Sequence, residues 1–465
     1  MEEMIMGVIQ YIVDLGASVM LPIVILILGL VLGQGIGKSL RSGITIGIGF
    51  VGINLVISLL TENLGAAAES MAENFNLGLN VVDLGWPGTS PMAWASDLGL
   101  IAIPIAIGVN VVMLLLKMTR VVNVDIWNIW HMAFTGAIVQ TATGSFYLGI
   151  LGVAVHAIIA YKLGDMFGSV TDEYFGLEGI SIPHGSPVYM GIFSVPIDDL
   201  IEKIPGLNKI NITSEKIESR LGVLGQPTIV GAFLGLAIGL LAGYNFGDSM
   251  QLAIQMAAVM VLMPMVVKLI MEGLIPISEA ARNLLDKHFK GSELRIGLDP
   301  ALLLGDAQVI AASLIFVPLT ILIAVIVPGN QVLPFGDLAT IGFFIAMAVG
   351  VHKGNLFRTL ISGSFIMFMT IWISNQMINL QTLLGQNVGL VGAGERVSSL
   401  DQAGSPITYL LANGLTFEMG LGFFIILALY VAAFVYTFIK YKKNTLYIEV
   451  EEFEGNETGE SISSN

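Results

Sequence analysis

The chain has no cysteine and few charged residues. The absence of cysteine among its 465 residues excludes a disulfide framework, a thiolate metal site and a cysteine nucleophile. Charged residues make up only 12% of the chain, against about 25% in an average soluble domain. The net charge of −15 argues against nucleic acid, whose binding depends on basic patches. With 55% hydrophobic residues, such a chain cannot cover itself with polar surface in water, and we predict that it lies in a lipid bilayer.

Long apolar stretches divide the sequence. A transmembrane helix needs roughly 20 mostly apolar residues. We therefore predict an all-α polytopic membrane protein of about 11 transmembrane helices. The stretches lie near residues 14–32, 42–60, 98–116, 125–143, 145–163, 222–244, 250–274, 303–327, 337–351, 359–378 and 415–439.

The basic residues predict the orientation of these spans. Lysine and arginine collect in cytoplasmic loops. With the N-terminus outside and the C-terminus in the cytoplasm, Arg396 is the only one of the 20 basic residues that falls on the outer side. Lys268 lies within a span, near its inner end, where it can snorkel. This agreement supports the number of spans as well as the orientation.

Two further segments are too broken for ordinary spans and too apolar for ordinary loops. They are 176–196 (GLEGISIPHGSPVYMGIFSVP) and 399–414 (SLDQAGSPITYLLANG). Non-helical backbone at membrane depth is tolerated only where protein or a wet cavity surrounds it. We interpret both segments as re-entrant hairpins, and the alternative is that they are surface loops.

The two hairpins share the tripeptide Gly-Ser-Pro, and other short sequences of the first half recur, in similar form and in the same order, in the second half. They predict two inverted five-helix repeats, 1–197 and 221–414, joined by a cytoplasmic linker, 198–220. The final span, 415–439, completes a single membrane domain, 1–445, and an acidic cytoplasmic tail follows at 446–465. Inverted repeats are common in secondary transporters, whose solutes bind near mid-membrane at the repeat interface.

Several polar residues lie within or beside predicted spans, where they are costly and usually face a cavity. His131 lies on one face of the fourth span, which also carries Gln140; a packing role is the alternative. Asp306 and Gln308 open the eighth span, whereas we interpret Asp299, before Pro300, as a helix cap.

The remaining candidates lie in the Gly/Pro-rich segments. Trp86 and Thr89 belong to GWPGTSPMAW, which fits either an interfacial anchor or the stacking face of a sugar site. The first hairpin contributes Glu178, His184 and Ser186. A polyol presents only hydroxyl groups, which need partners that donate and accept hydrogen bonds. The candidate solute-binding residues are therefore Trp86, Thr89, His131, Gln140, Glu178, His184, Ser186, Asp306, Gln308 and Ser405.

The sequence resembles the membrane component (enzyme IIC) of the sugar phosphotransferase system, of the galactitol type within the ascorbate–galactitol group. The similar segments are GWPGTSPMAWAS, DIWNIWHMAFTGAIVQTATG and LEGISIPHGSP. The resemblance implies a homodimeric permease of the cell (plasma or inner) membrane that binds galactitol or a related hexitol. It also implies elevator-like transport, with both hairpins at the solute. Phosphate would come from a phosphocysteine on a separate IIB chain, which IIA supplies.

Other functions predict other features. A proton- or ion-coupled polyol transporter is the main alternative, with Asp306 and Glu178 as proton carriers. An intramembrane zinc protease needs His-Glu-x-x-His, and a serine hydrolase needs a nucleophile elbow; neither motif occurs. We expect no catalytic residue, metal site or cofactor in this chain.

Overall fold

The structure is a computed structural model. It describes residues 17–31, 33–60, 63, 66–67, 70, 74, 81–99, 101–123, 125, 127–212, 227–288, 294–334, 336–388, 391–394 and 396–442. The predicted acidic tail and the last part of the predicted linker lie outside these residues.

Helices make up most of the described chain, which confirms the predicted all-α class. The first half contains α1 (Ala17–Val31), α2 (Ile36–Leu60), α3 (Gly85–Ala95), α4 (Ala102–Leu115), α5 (Trp127–Thr143), α6 (Phe146–Met166), α7 (Gly168–Glu173), α8 (Gly185–Gly191) and α9 (Ser194–Lys203). The second half contains α10 (Pro227–Leu241), α11 (Phe246–His288), α12 (Ala307–Ile326), α13 (Ile341–Val351), α14 (Leu356–Asn387), α15 (Pro406–Thr416) and α16 (Leu421–Lys440).

Each predicted apolar stretch coincides with one of these helices. Among the described residues, α6, α12, α14 and α16 are long and apolar enough to cross a membrane, whereas α4 and α13 are apolar but shorter. Helix α11 runs well past the predicted end at residue 274. Its last turns read SEAARNLLDKH, and Ala, Glu, Arg and Leu favour helix even where the sequence is no longer apolar.

Among the described residues, six short strands form two parallel sheets, which hydropathy did not predict. One joins segments that were predicted to lie outside, and we call it the outer sheet; its order is β5 (Val332–Leu333), β1 (Val81–Asp83), β6 (Val397–Ser398). The other joins segments that were predicted to lie inside, and we call it the inner sheet; its order is β2 (Val121–Asn123), β4 (Arg295–Gly297), β3 (Ile180–Ser181). In each sheet the central strand comes from one half of the chain and both neighbours come from the other half. The sheets therefore join the two halves at two places.

The two Gly/Pro-rich segments are buried. Residues 180–195 and 397–409 are all shielded from solvent, which contradicts the alternative of exposed surface loops. Each segment follows a short strand, β3 or β6, and then begins a helix at its Gly-Ser-Pro sequence, α8 or α15. Proline suits this position because its missing N–H has no partner at the start of a helix.

Candidate functional site

The two Gly-Ser-Pro segments touch each other in the middle of the protein. Ser186 Oγ donates a hydrogen bond of 2.6 Å to Asp401 Oδ1. Gln402 Nε2 donates to the same oxygen at 3.1 Å. Ser186, Asp401 and Gln402 are at most 7% exposed. A carboxylate from one half of the chain is thus held by a hydroxyl group from the other half.

Helix α5 brings His131 to this junction. Its Nδ1 accepts a hydrogen bond of 2.9 Å from the backbone N–H of Gly185, so the proton of the neutral ring is on Nε2. That nitrogen faces Asp401 Oδ2 at 3.6 Å. A side chain at position 185 would collide with His131 and Gln402, which explains the glycine.

A second histidine–carboxylate pair lies beside the first. His184 Nε2 is 3.9 Å from Asp299 Oδ2, and the rings of His184 and His131 are 4.0 Å apart. Strands β3 and β4 pair in parallel, with Ser181 opposite Gly297. Because His184 and Asp299 follow these strands closely, the pairing brings them together.

Several polar atoms of this junction make no hydrogen bond within the described structure, although they are buried. They are His131 Nε2, His184 Nδ1, Gln402 Oε1 and Ser405 Oγ. Buried polar groups without a partner are rare and call for an explanation. This set includes donors and acceptors, and both histidine–carboxylate distances exceed a direct hydrogen bond. The arrangement suits a neutral ligand rich in hydroxyl groups, and we call His131, His184, Ser186, Asp299, Asp401, Gln402 and Ser405 the hairpin cluster.

Two more buried carboxylates hold the second hairpin in position. Asp337 Oδ2 accepts from the backbone N–H of Asp401 at 2.6 Å, and Asp337 Oδ1 accepts from that of Trp86 at 2.9 Å. Asp83 Oδ1 accepts from the N–H of Leu400 at 3.1 Å, and Asp83 Oδ2 accepts from that of Asp337 at 2.9 Å. These bonds satisfy backbone groups that have no helical partner, which a broken segment in an apolar setting requires.

A polar layer lies one helical turn below His131. Thr135 Oγ1 is 2.6 Å from His156 Nδ1 and 2.7 Å from Thr408 Oγ1. Thr135, His156 and Thr408 are fully buried. The predicted polar face of α5 therefore points toward α6 and α15.

Of the ten predicted site residues, the structure brings four into the hairpin cluster: His131, His184, Ser186 and Ser405. Two others support it from nearby. Trp86 bonds to Asp337 through its backbone, and its ring makes an edge contact with Trp127 at 6.0 Å. Thr89 Oγ1 accepts from Gln381 Nε2 at 3.1 Å, and the same nitrogen donates to Ser399 Oγ at 3.4 Å.

The other predicted residues make contacts elsewhere. Gln140 Nε2 donates to Asp97 Oδ2 at 3.0 Å in an exposed position, and Glu178 is exposed. Asp306 was predicted to lie within the eighth apolar stretch. In the structure it is the N-cap of helix α12, where its carboxylate accepts from the N–H groups of Gln308 and Val309. Its carboxylate also accepts from Tyr174 Oη at 3.1 Å.

The sequence interpretation missed Asp299 and Asp401. Asp299 does cap a short helix, accepting from the N–H of Ala301 at 2.8 Å, but its other oxygen faces His184. A local sequence pattern reveals the cap and not the distant histidine. Asp401 had a readable signal, because it is the only carboxylate in the otherwise uncharged segment 399–414.

The chain is similar to known proteins over most of its length. The family described as the sugar-specific permease component of the phosphotransferase system matches residues 11–394. The chain is 58% identical to the "PTS system galactitol-specific EIIC component" of Escherichia coli strain K12 over 445 residues, which cover 94% of this chain and 99% of that protein. The protein of the same name from Escherichia coli O157:H7 gives the same values. A "putative permease IIC component" of strain K12 is 40% identical over 415 residues, covering 87% of this chain and 94% of that protein.

These matches confirm the resemblance inferred from the GWPGTSP, DIWNIWH and IPHGSP segments. The matches to the two galactitol-specific relatives span nearly the whole chain, whereas the family match ends at residue 394, before the segment 399–414. With its apolar helices, the protein is a multi-pass membrane protein of the plasma membrane. The chain belongs to the family of sugar-specific permease components of the phosphotransferase system.

Proposed function

We propose that this protein is the galactitol permease subunit of a phosphotransferase system and that it binds galactitol at the hairpin cluster. The observation that carries the proposal is the set of buried, unpartnered polar atoms at the contact of the two hairpins. A hexitol hydroxyl donates one hydrogen bond and accepts two. It can bridge His131 Nε2 to Asp401, and a second hydroxyl can bridge His184 to Asp299.

The 58% identity to two galactitol-specific relatives, over 99% of the length of each, supports the choice of substrate. A site that hydrogen-bonds several hydroxyl groups discriminates by position, because an unmatched buried group loses its partner. Galactitol therefore binds more tightly than its stereoisomers glucitol and mannitol. Trp86 and Thr89 act indirectly, by supporting the second hairpin.

We also propose the predicted topology of eleven spans, two re-entrant hairpins and an external N-terminus. The strand pairing supports it, since the outer sheet joins three segments predicted outside and the inner sheet joins three predicted inside. The reciprocal use of strands, one from one half and two from the other, supports the inverted repeat. Two similar hydrogen bonds between the halves also support the repeat. The backbone N–H of Asp337 donates to the carboxylate of Asp83 at 2.9 Å, and that of Asp299 donates to the carboxylate of Asp125 at 3.0 Å.

The expected partners follow from the family. A IIB chain supplies the phosphoryl group from a phosphocysteine, and IIA recharges it; this chain has no cysteine with which to perform that step. The S–P bond of the IIB phosphocysteine breaks as the polyol oxygen takes the phosphoryl group, so that the cysteine leaves as a thiolate and the hydroxyl proton is released. Two copies form a dimer, and the hairpin-bearing part carries the solute inward by an elevator-like movement.

The test is a binding titration of the purified protein with galactitol, glucitol and mannitol. The proposal predicts saturable binding with galactitol the tightest. Replacement of both cluster histidines, His131→Ala with His184→Ala, removes that binding, whereas Gln140→Ala, outside the cluster, leaves it intact. Equal binding by the wild-type protein and the double variant contradicts the assignment of the site.

A further inference from the structure

A cavity of about 910 Å³ lies at the predicted inner side of the protein, outside the hairpin cluster. This volume is within the range of about 300–1,000 Å³ that is typical of small-molecule sites. Its lining comes from α7 and the residue after it, from α9, from the end of α13 with the turn that follows, and from the end of α16 with the residues after it. It includes Glu173, Tyr174, Asp198, Lys353, Lys440, Tyr441 and Lys442. We call it the inner cavity.

One helix connects the inner cavity to the hairpin cluster. Phe343, near the start of α13, stacks on the ring of His184 at 6.2 Å, and Gly350 and Val351, at its end, line the cavity. Helix α13 has 11 residues, which correspond to about 16 Å. A solute that moves inward from the cluster along α13 therefore arrives at this cavity.

Lysines converge on the cavity from two separate parts of the chain. Lys353 comes from the turn after α13, where it adopts a left-handed backbone conformation with φ of 51°. Such a conformation is uncommon for a residue other than glycine and is frequent at ligand sites. Lys440 and Lys442 come from the end of α16 and reach the cavity from the other side.

The carboxylate of Asp198 already pairs with Arg358 and is hydrogen-bonded to His352. Burial raises the pKa of Asp198, but the hydrogen bonds and charges of His352 and Arg358 outweigh burial and keep its pKa below the ordinary value. His352 Nδ1 and Arg358 Nη1 each lie 2.9 Å from Asp198 Oδ1. Asp198 is therefore not the partner of the cavity lysines; Lys440 Nζ pairs instead with Asp199 Oδ1 at 2.7 Å.

The cavity also offers neutral hydrogen-bonding groups. Burial and the charges of Asp198 and Asp199 raise the pKa of Tyr441 to about 12, so its hydroxyl stays protonated and can donate. Tyr174 lines the cavity and donates to Asp306, and the side chain of Gln308 lies beside Tyr174, since a side chain at Gly354 would meet both. Lysines suit a phosphate group, and hydroxyl and carboxylate groups suit the hydroxyls of a polyol.

We propose that the inner cavity binds the phosphorylated product, a hexitol monophosphate, before it leaves the protein. The inference rests on the proposed function, because it takes galactitol as the solute that is phosphorylated. It also gives a role to Asp306, which accepts a hydrogen bond from the cavity-lining Tyr174, and to Gln308, whose side chain lies beside Tyr174.

The test measures two affinities on the purified full-length protein, one for galactitol and one for galactitol phosphate. The double variant Lys353→Gln with Lys442→Gln keeps both side-chain stems and removes two charges. We expect its affinity for galactitol phosphate to fall at least tenfold while its affinity for galactitol is unchanged. Lys117→Gln is the matched control, because Lys117 is also exposed on the predicted inner side and has φ of 54°, but lies outside the cavity.

Three outcomes overturn the inference. The wild-type protein does not bind galactitol phosphate, or it binds inorganic phosphate equally tightly, or the double variant binds galactitol phosphate as the wild type does. In each case galactitol binding at the hairpin cluster is unaffected, so the proposed function survives. If the wild-type protein does not bind galactitol either, the proposed function fails together with this inference.

Discussion

Ser186 and Asp401 lie 215 residues apart in the chain, yet the hydroxyl of one donates to the carboxylate of the other over 2.6 Å. Each follows a short strand of a different sheet. Two broken segments, one from each half of the protein, are therefore tied together by their polar tips. Since a movement of either segment changes this contact, the proposed solute site depends on the relative position of the two halves.

The carboxylate of Asp401 is the first target for mutation. Asp401→Asn keeps the shape but removes the charge, and a hydrogen bond to a charged group contributes roughly 1.5–3 kcal/mol. We expect galactitol affinity to fall roughly ten- to a hundredfold in a binding titration. Asp97→Asn, at an exposed aspartate, is the control and leaves affinity unchanged. An Asp401→Asn protein that folds and binds normally contradicts the role of this residue.

Asp299 belongs to the hairpin cluster, whereas Asp306 was a candidate from the sequence alone, so mutations of the two residues test which of them contacts the solute. Asp299→Asn removes the charge facing His184, and we expect about a tenfold loss of galactitol affinity. Asp306→Asn retains a good N-cap residue. We therefore expect its galactitol affinity to stay within about twofold of the wild type, and its melting temperature to stay within a few degrees. If Asp306→Asn alone loses galactitol affinity, the solute binds at the start of α12 and not at Asp299.

Orientation is tested by cysteine labelling, for which the cysteine-free chain is an ideal background. Asp97 and Lys209 are both exposed and lie on opposite predicted sides. In intact cells, an impermeant thiol reagent should label Asp97→Cys and not Lys209→Cys. In permeabilised cells it should label both. Labelling of Lys209→Cys from outside reverses the proposed orientation.

Stability should depend on pH through His352. Burial lowers the pKa of His352 and outweighs the bond to Asp198, so the folded pKa lies below the ordinary value of 6.5. As the pH falls below 6.5, the unfolded chain binds this proton first, and the stability of the folded state decreases. The melting temperature should therefore fall between pH 7.5 and pH 5.5, and it should fall less in His352→Gln. The same pH dependence in both proteins excludes His352 as a source of this instability.

Much of the architecture is readable from the sequence because hydropathy and basic residues report directly on the bilayer. All predicted apolar stretches contain a helix, and Gly-Ser-Pro marks the start of α8 and α15. The helix ends were less predictable. In α11 and α14, good helix formers continue beyond the apolar residues.

The site was only partly readable because its partners are distant in sequence. His131, His184 and Ser186 stood out as polar groups in apolar surroundings. The histidine–carboxylate pairs did not: His184 meets Asp299 through the parallel pairing of the short strands β3 and β4, and Asp401 follows the short strand β6 in the other sheet. Strands this short carry no periodicity that distinguishes them from a loop. For the same reason Asp299 read as a helix cap alone.

The central claim is that galactitol is bound at the hairpin cluster and phosphorylated during uptake. The most direct test follows labelled galactitol into membrane vesicles that contain the protein together with IIB, IIA and a phosphoenolpyruvate supply. The account predicts that all accumulated label is galactitol phosphate, that none accumulates without phosphoenolpyruvate, and that His184→Ala abolishes uptake. Accumulation of unmodified galactitol, driven by an imposed ion gradient without phosphoenolpyruvate, would contradict it.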